Sequence, residues 1–208
     1  MLHKNQLYAV LAITLAAAIA SFSLAYTNAE PPSPRLYFSA AAITQDGRGV
    51  IVPFRMYLVH GNGRILVNVA GTTFSDDVEN SLRKARQNAE RITKTSLKGV
   101  DIVLETAEEK QAVSGESAGT VFTMAIASLS TGRPLKQGAV VSAAIDEDGV
   151  LEEVDGVEEK ILAAFAADKK IFVVSLKQNI RDQQALENLG VVIIRAQNVS
   201  QAAETLLS

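Results

Sequence analysis

Residues 115–132 read GESAGTVFTMAIASLSTG. From Ala118 to Gly132 this stretch carries no charge. Its apolar residues fall on every side of a helical wheel, so the spacing predicts a helix over Ser117–Ser130 that is buried all round. Working outward, the C-terminal side alternates. Strands are expected at Val140–Ile145, Ile171–Val174 and Val191–Ile194, and helices at Glu158–Ala167, Arg181–Leu189 and Ser200–Leu207. Asn198 is placed to cap the last helix, with Gln201 three residues on, close to a capping box. Asp146-Glu147-Asp148-Gly149 reads as a solvated turn, too short and wrongly spaced for a calcium loop. On the N-terminal side, Leu36–Ile43, Val50–Val59 and Arg64–Ala70 read as strands. Gly47-Arg48-Gly49 and Gly61-Asn62-Gly63 punctuate them as hairpin turns, because glycine and asparagine accept positive φ. A helix capped by Ser75 should run to about Thr95 with a solvated charged face, and a short strand follows at Val100–Leu104. The expectation is one α+β domain, with antiparallel strands first and alternating helices and strands after.

The pattern around Ser117 carries the chemistry. Gly115-Glu116-Ser117-Ala118-Gly119 matches G-x-S-x-G, the nucleophile elbow of α/β-hydrolases. That machinery needs a histidine after the serine. Both histidines of this chain, His3 and His60, precede it. A nucleophilic Ser117 therefore needs another base, and lysine is the best candidate. At the start of a buried helix, free backbone N–H groups and the helix dipole favour developing negative charge, as an oxyanion hole requires. The plainer reading is that Ser117 only caps the helix. Lys160 bears on the choice. On a helical wheel Val157, Ile161 and Ala164 share one face, and Lys160 lies on its border. Desolvation there lowers a lysine pKa and makes the amine a general base. The alternative is a stem that snorkels its charge to water. Ser81-Leu82-Arg83-Lys84 matches S-x-x-K without its companion motifs, and His60 reads as a turn residue.

Composition excludes several classes. The chain has 208 residues, a formal net charge of −3 and no cysteine, so thiolate chemistry, disulfides and cysteine metal sites are out. Two distant histidines argue against zinc, no P-loop or dinucleotide fingerprint appears, and the charge gives no reason to expect nucleic acid. No cofactor is expected. Leu7–Tyr26 is an uncharged, mostly apolar run of 20 residues, long enough to span a bilayer. Lys4 precedes it, and Glu30 and Arg35 follow, which keeps the N-terminus in the cytoplasm and sends the domain across. A cleaved signal peptide, with small residues at Ser23-Leu24-Ala25 or Thr27-Asn28-Ala29, is the rival and implies secretion. The expected layout is an anchor or signal at 1–29, a stiff proline-rich spacer at 30–35 and the domain at 36–208.

Three segments together resemble the proteolytic domain of Lon proteases. Ser114-Gly115-Glu116-Ser117-Ala118-Gly119 is similar to the segment around that family's serine. Leu129-Ser130-Thr131-Gly132-Arg133-Pro134-Leu135 is similar to its L-x-T-G-R-P-V segment, and Asp155 to Ala164 is similar to its G-G-L-K-E-K-L-L-A-A segment. The interval of 43 between Ser117 and Lys160 agrees with the family's. The resemblance implies a Ser-Lys dyad: Ser117 as nucleophile, Lys160 as base, and Ser142 where the family uses a threonine to hold the lysine. Four positions depart from the pattern: Ser114, Glu116, Asp155, and Ser142-Ala143-Ala144 in place of Thr-Gly-Glu. The N-terminal half looks like archaeal membrane-associated relatives. Taken together, these features lead us to expect an ATP-independent, membrane-anchored serine endopeptidase acting on protein or peptide substrates, with a six-membered homo-oligomeric ring implied by the family. The alternative is an inactive, membrane-tethered binding or assembly module.

Overall fold

The computed structural model describes residues 33–68, 76–106 and 116–208. The description below concerns the unit Pro34–Ser208. The apolar run at Leu7–Tyr26, Ser75 and the pair Ser114-Gly115 lie outside the described residues. Among the described residues no helix is long and apolar enough to cross a membrane.

The chain opens with β1 (Arg35–Ile43) and β2 (Gly49–His60), an antiparallel pair that closes on the turn at 44–48. Gly47 holds φ +81° there, a left-handed conformation in which a Cβ would be strained. β3 (Ile65–Asn68) follows, then α1 (Asp76–Thr93) and β4 (Val100–Thr106). The four strands form one sheet in the order β1-β2-β4-β3. The Gly61-Asn62-Gly63 stretch is therefore not a hairpin, contrary to the sequence expectation. β4 inserts between β2 and β3, antiparallel to the first and parallel to the second. Asp101 explains the detour. Its buried carboxylate accepts from the Asn62 and Arg64 backbone N–H groups at 2.8 Å and from the Arg64 guanidinium at 2.7 Å. Those bonds hold its pKa down to about 2. A Cβ on Gly61 would lie 2.1 Å from that carboxyl carbon, so only glycine lets the turn wrap the charge.

After a 3-10 turn at Glu116–Ala118, α2 (Gly119–Thr131) runs through the centre of the domain. Every residue from Gly119 to Ser128 is buried, as the uncharged pattern required. Phe122 packs edge-on against Phe54 at 5.6 Å and Phe38 at 6.3 Å, which joins the helix to the first sheet. Burying such a ring contributes roughly 2–3 kcal/mol. On the other flank α1 packs against α2 with Val78, Leu82, Ala85 and Ala89 buried. α2 ends at Gly132, whose N–H returns to the Ser128 carbonyl at 2.8 Å with φ +74°.

The remaining chain forms β5 (Ala139–Val141), β6 (Ala144–Ile145), β7 (Leu151–Glu152), α3 (Val157–Ala166), β8 (Ile171–Ser175), α4 (Gln183–Asn188), β9 (Val192–Ala196) and α5 (Val199–Leu206). β5, β8 and β9 make a parallel sheet, and β6 and β7 a hairpin. The single strand expected over Val140–Ile145 is thus two strands in different sheets. The physical cause is local. The Ser142 N–H still reaches the Val173 carbonyl at 3.1 Å, but the next carbonyl, of Ala143, turns to the Thr120 hydroxyl at 2.8 Å. The acidic turn is the tip of the β6–β7 hairpin, and it is not merely solvated. Asn88 and Arg91 of α1 donate to the Asp146 and Glu147 carbonyls at 3.1 and 2.6 Å, so part of that helix's polar face has structural work. Asn198 caps α5, accepting from the Gln201 N–H at 3.0 Å, and Gln201 reaches back to the Gln197 N–H at 2.7 Å. A mixed α/β domain results, with one core around α2 and a second under α3 formed by Val157, Ile161, Ala164, Phe172 and Val174.

Candidate active site

A cleft of about 540 Å³ opens where the mouth of α2 faces the start of α3. Ser117 and Glu116 line it from the 3-10 turn, and Lys160 from α3, together with Ala144 and the 153–158 segment. The two residues singled out by sequence, 43 positions apart, therefore share one cleft. Of the other candidates, Glu116 lines the cleft and is exposed. Ser114 and Gly115 lie outside the described residues.

Ser117 is half-buried and caps nothing. The helix begins after Ala118 with no side-chain capping bond, so the capping role considered for this serine is not realised. Gly119 sits at the first turn of α2, where a Cβ would come within 2.8 Å of the Ile145 side chain. That glycine lets the serine-bearing turn settle onto β6. Thr120 ties the same turn to the Ala143 carbonyl through its hydroxyl, at 2.8 Å. Thr120 was not legible as a site residue, because its partner lies 23 residues away on a strand break that no periodicity announces.

Lys160 is 3 % exposed, deeper than the border of the apolar face where a helical wheel puts it. Val157, Ile161 and Ala164 of α3 are buried beside it. Packing from the first sheet closes that side. A Cβ on Gly49 would stand 1.9 Å from the Glu159 carbonyl oxygen, and one on Gly156 2.6 Å from the Ile43 side chain. Both glycines let β1 and β2 press against the N-terminal turn of α3, and Lys160 is left lining the cleft. Burial lowers its pKa from the ordinary 10.5 to about 8, partly opposed by the negative charge of Asp155. An amine so placed can exist neutral near physiological pH and can accept a proton. Asp155 is a tuning residue that sequence reading noted only as a departure from a pattern.

Ser142 is fully buried, and its hydroxyl finds no hydrogen-bond partner among the described residues. It sits at the end of β5 and is not among the residues that line the cleft. His60 ends β2 and is exposed, and Ser81 is buried on the packed side of α1. Neither lines the cleft. Among the described residues no group of three or more histidines, cysteines or carboxylates is arranged to hold a metal ion.

A mixed α/β domain with a serine at the mouth of a buried helix and a sunken lysine in the same cleft has the make-up of a hydrolase domain. Residues 39–207 match the model of the Lon protease (S16) C-terminal proteolytic domain, and the chain belongs to that family. It is 26 % identical over 186 residues to the Lon protease of Neorickettsia sennetsu, covering 85 % of this chain and 22 % of that protein. Identity is 29 % over 135 residues to the peroxisomal Lon protease homolog 2 of Caenorhabditis briggsae, covering 64 % and 17 %. It is 32 % over 110 residues to the Lon protease of Phenylobacterium zucineum, covering 51 % and 14 %. The chain thus spans about a fifth or less of the length of these relatives. The likeness read from three short segments holds across most of the chain, and membership implies a domain of the serine-peptidase type.

Proposed function

We propose that this chain is a serine endopeptidase that works without ATP, with Ser117 as nucleophile and Lys160 as general base. The observation that carries the proposal is the sharing of one cleft by a half-buried serine that caps no helix and a buried lysine whose pKa is lowered to about 8. Neutral Lys160 takes the Ser117 proton as the hydroxyl attacks the scissile carbonyl. Backbone N–H groups at the mouth of α2 stabilise the oxyanion. The lysine returns the proton to the leaving amine, and then deprotonates the water that releases the acyl group. Ser142, whose buried hydroxyl has no partner among the described residues, is assigned to orienting the lysine during turnover, the role that the family resemblance gives this position. We further propose that the apolar run at Leu7–Tyr26 anchors the chain in a membrane with the domain outside the cytoplasm, and that the domains assemble into a ring. Substrates are protein or peptide segments extended enough to enter the cleft.

The test uses the full-length chain in mild detergent with an unfolded protein substrate. Ser117→Ala and Lys160→Ala should each abolish hydrolysis, and a fluorophosphonate probe should label Ser117 stoichiometrically at pH 9. Hydrolysis that survives either substitution sinks the mechanism. A failure to label anywhere between pH 6 and 10 favours a non-catalytic module instead.

A further inference from the structure

The cleft around Ser117 and Lys160 is acidic. Glu116, Glu153, Asp155 and Glu158 all line it, against Arg181 and Lys160 as its lining cations. Arg181 is committed to Glu158, which accepts from its backbone N–H at 2.9 Å and its side chain at 3.4 Å. The pair leaves Glu116, Glu153 and Asp155 exposed, without an ion-pair partner among the described residues. Glu153 accepts the Asn179 N–H at 2.9 Å, which fixes its position and leaves its charge in place. Lys160 offsets this rim only in part. It is 3 % exposed, it feels the negative charge of Asp155 among the three, and burial lowers its pKa to about 8, so above that pH most of its positive charge is gone. A buried and largely neutral amine therefore shares the cleft with three exposed carboxylates. Ile43, Val154 and Val157 supply apolar wall between them.

We propose that this cleft selects peptide segments with a lysine or arginine side chain close to the scissile bond, and that Glu116, Glu153 and Asp155 are the residues that impose the preference. The inference rests on reading the cleft as a peptidase site. Its physical basis is field focusing: a concave wall with one sign of charge raises the local concentration of the opposite sign. A single exposed carboxylate contributes little, but three converging on one opening act on the same cation. The aliphatic stems of lysine and arginine suit the apolar wall while their charged ends reach the carboxylates. A segment with acidic residues at those positions meets repulsion from all three.

Charge selection and catalysis are separable by experiment. Full-length Ser117→Ala binds fluorescein-labelled peptides that differ only in carrying Lys, Gln or Glu on both sides of a fixed Leu-Ala pair, at pH 9. At roughly 50 mM salt the Lys peptide should bind about tenfold tighter than the Glu peptide, and the ratio should fall to about twofold near 500 mM as screening sets in. In the triple variant Glu116→Gln/Glu153→Gln/Asp155→Asn the ratio should fall close to one. Equal affinities, tighter binding of the Glu peptide, no binding of the Lys peptide at roughly 100 μM, or a ratio unchanged by the triple substitution would each overturn the proposal. Cleavage of the same peptides by the wild-type chain scores the other reading. Binding selectivity without any cleavage defeats the peptidase and leaves charge selection standing, whereas cleavage without selectivity does the reverse.

Discussion

Replacing Lys160 with methionine should make the protein more stable and inactive at once. The side chain is 3 % exposed and flanked by Val157, Ile161 and Ala164, so its ammonium form is held against a desolvation cost. That cost lowers its pKa from 10.5 to about 8. In the unfolded chain the lysine keeps its ordinary pKa. Below about pH 8 both states carry the proton, and the folded state bears the whole penalty. Between about 8 and 10.5 the folded state has released the proton while the unfolded state still holds it, so stability rises with pH. Above 10.5 both are neutral and the penalty is gone. At ~1.4 kcal/mol per pH unit the gap corresponds to at most about 3.5 kcal/mol, and solvent at the cleft mouth brings the expected figure to about 1–3 kcal/mol. Methionine keeps most of the length and none of the charge. Urea unfolding of wild type and Lys160→Met at pH 7, 8.5 and 10 reads the effect directly, because every other titrating group is common to both and cancels in the difference. The variant should gain about 1–3 kcal/mol at pH 7, and the gain should shrink steadily towards pH 10. A difference that does not change with pH, or a methionine variant less stable at pH 7, refutes the reasoning.

Three further outcomes follow from the same geometry. Since activity requires the neutral amine, kcat/KM should rise about tenfold between pH 7 and 9 around the Lys160 pKa of about 8, and Asp155→Asn should move that rise to lower pH because Asp155 favours the charged form; a flat profile, or a shift to higher pH, contradicts the assignment. Ser142→Ala removes a buried hydroxyl with no partner among the described residues, so thermal unfolding should show a stability unchanged or higher by up to about 1 kcal/mol while kcat/KM falls. Stability and activity lost together would make Ser142 a packing residue only. Gly119→Ala drives a Cβ to within 2.8 Å of Ile145 and should cost about 1–3 kcal/mol by overpacking, and the same substitution made in an Ile145→Ala background should cost less in the same assay.

Legibility in the sequence followed the range of the forces involved. The buried helix was readable because a run without charge from Ala118 to Gly132 cannot face water on any side. That Ser117 and Lys160 belong together was expected from residue type and from an interval that the family resemblance supplied, and the two do line one cleft; the Asn198 cap was readable from a bond three residues long. Three features were not: the insertion of β4 between β2 and β3, the break after Val141, and the grip of Asn88 and Arg91 on the acidic hairpin. Each depends on a partner far away in the chain. Asp101 meets Asn62 across 39 residues, Thr120 meets Ala143 across 23, and Asn88 meets Asp146 across 58.

By itself, then, the sequence determined a buried helix headed by a serine, a downstream lysine on an amphipathic helix, and a chemistry free of cysteine and with no histidine after that serine. Whether that lysine would reach water or lose it was decided only by tertiary structure. Glycines at 49 and 156 let the β1–β2 hairpin close over the first turn of α3, and burial is what moves an ammonium pKa towards neutrality. A helical wheel records which face a residue occupies, but the desolvation of a charge depends on what packs against that face.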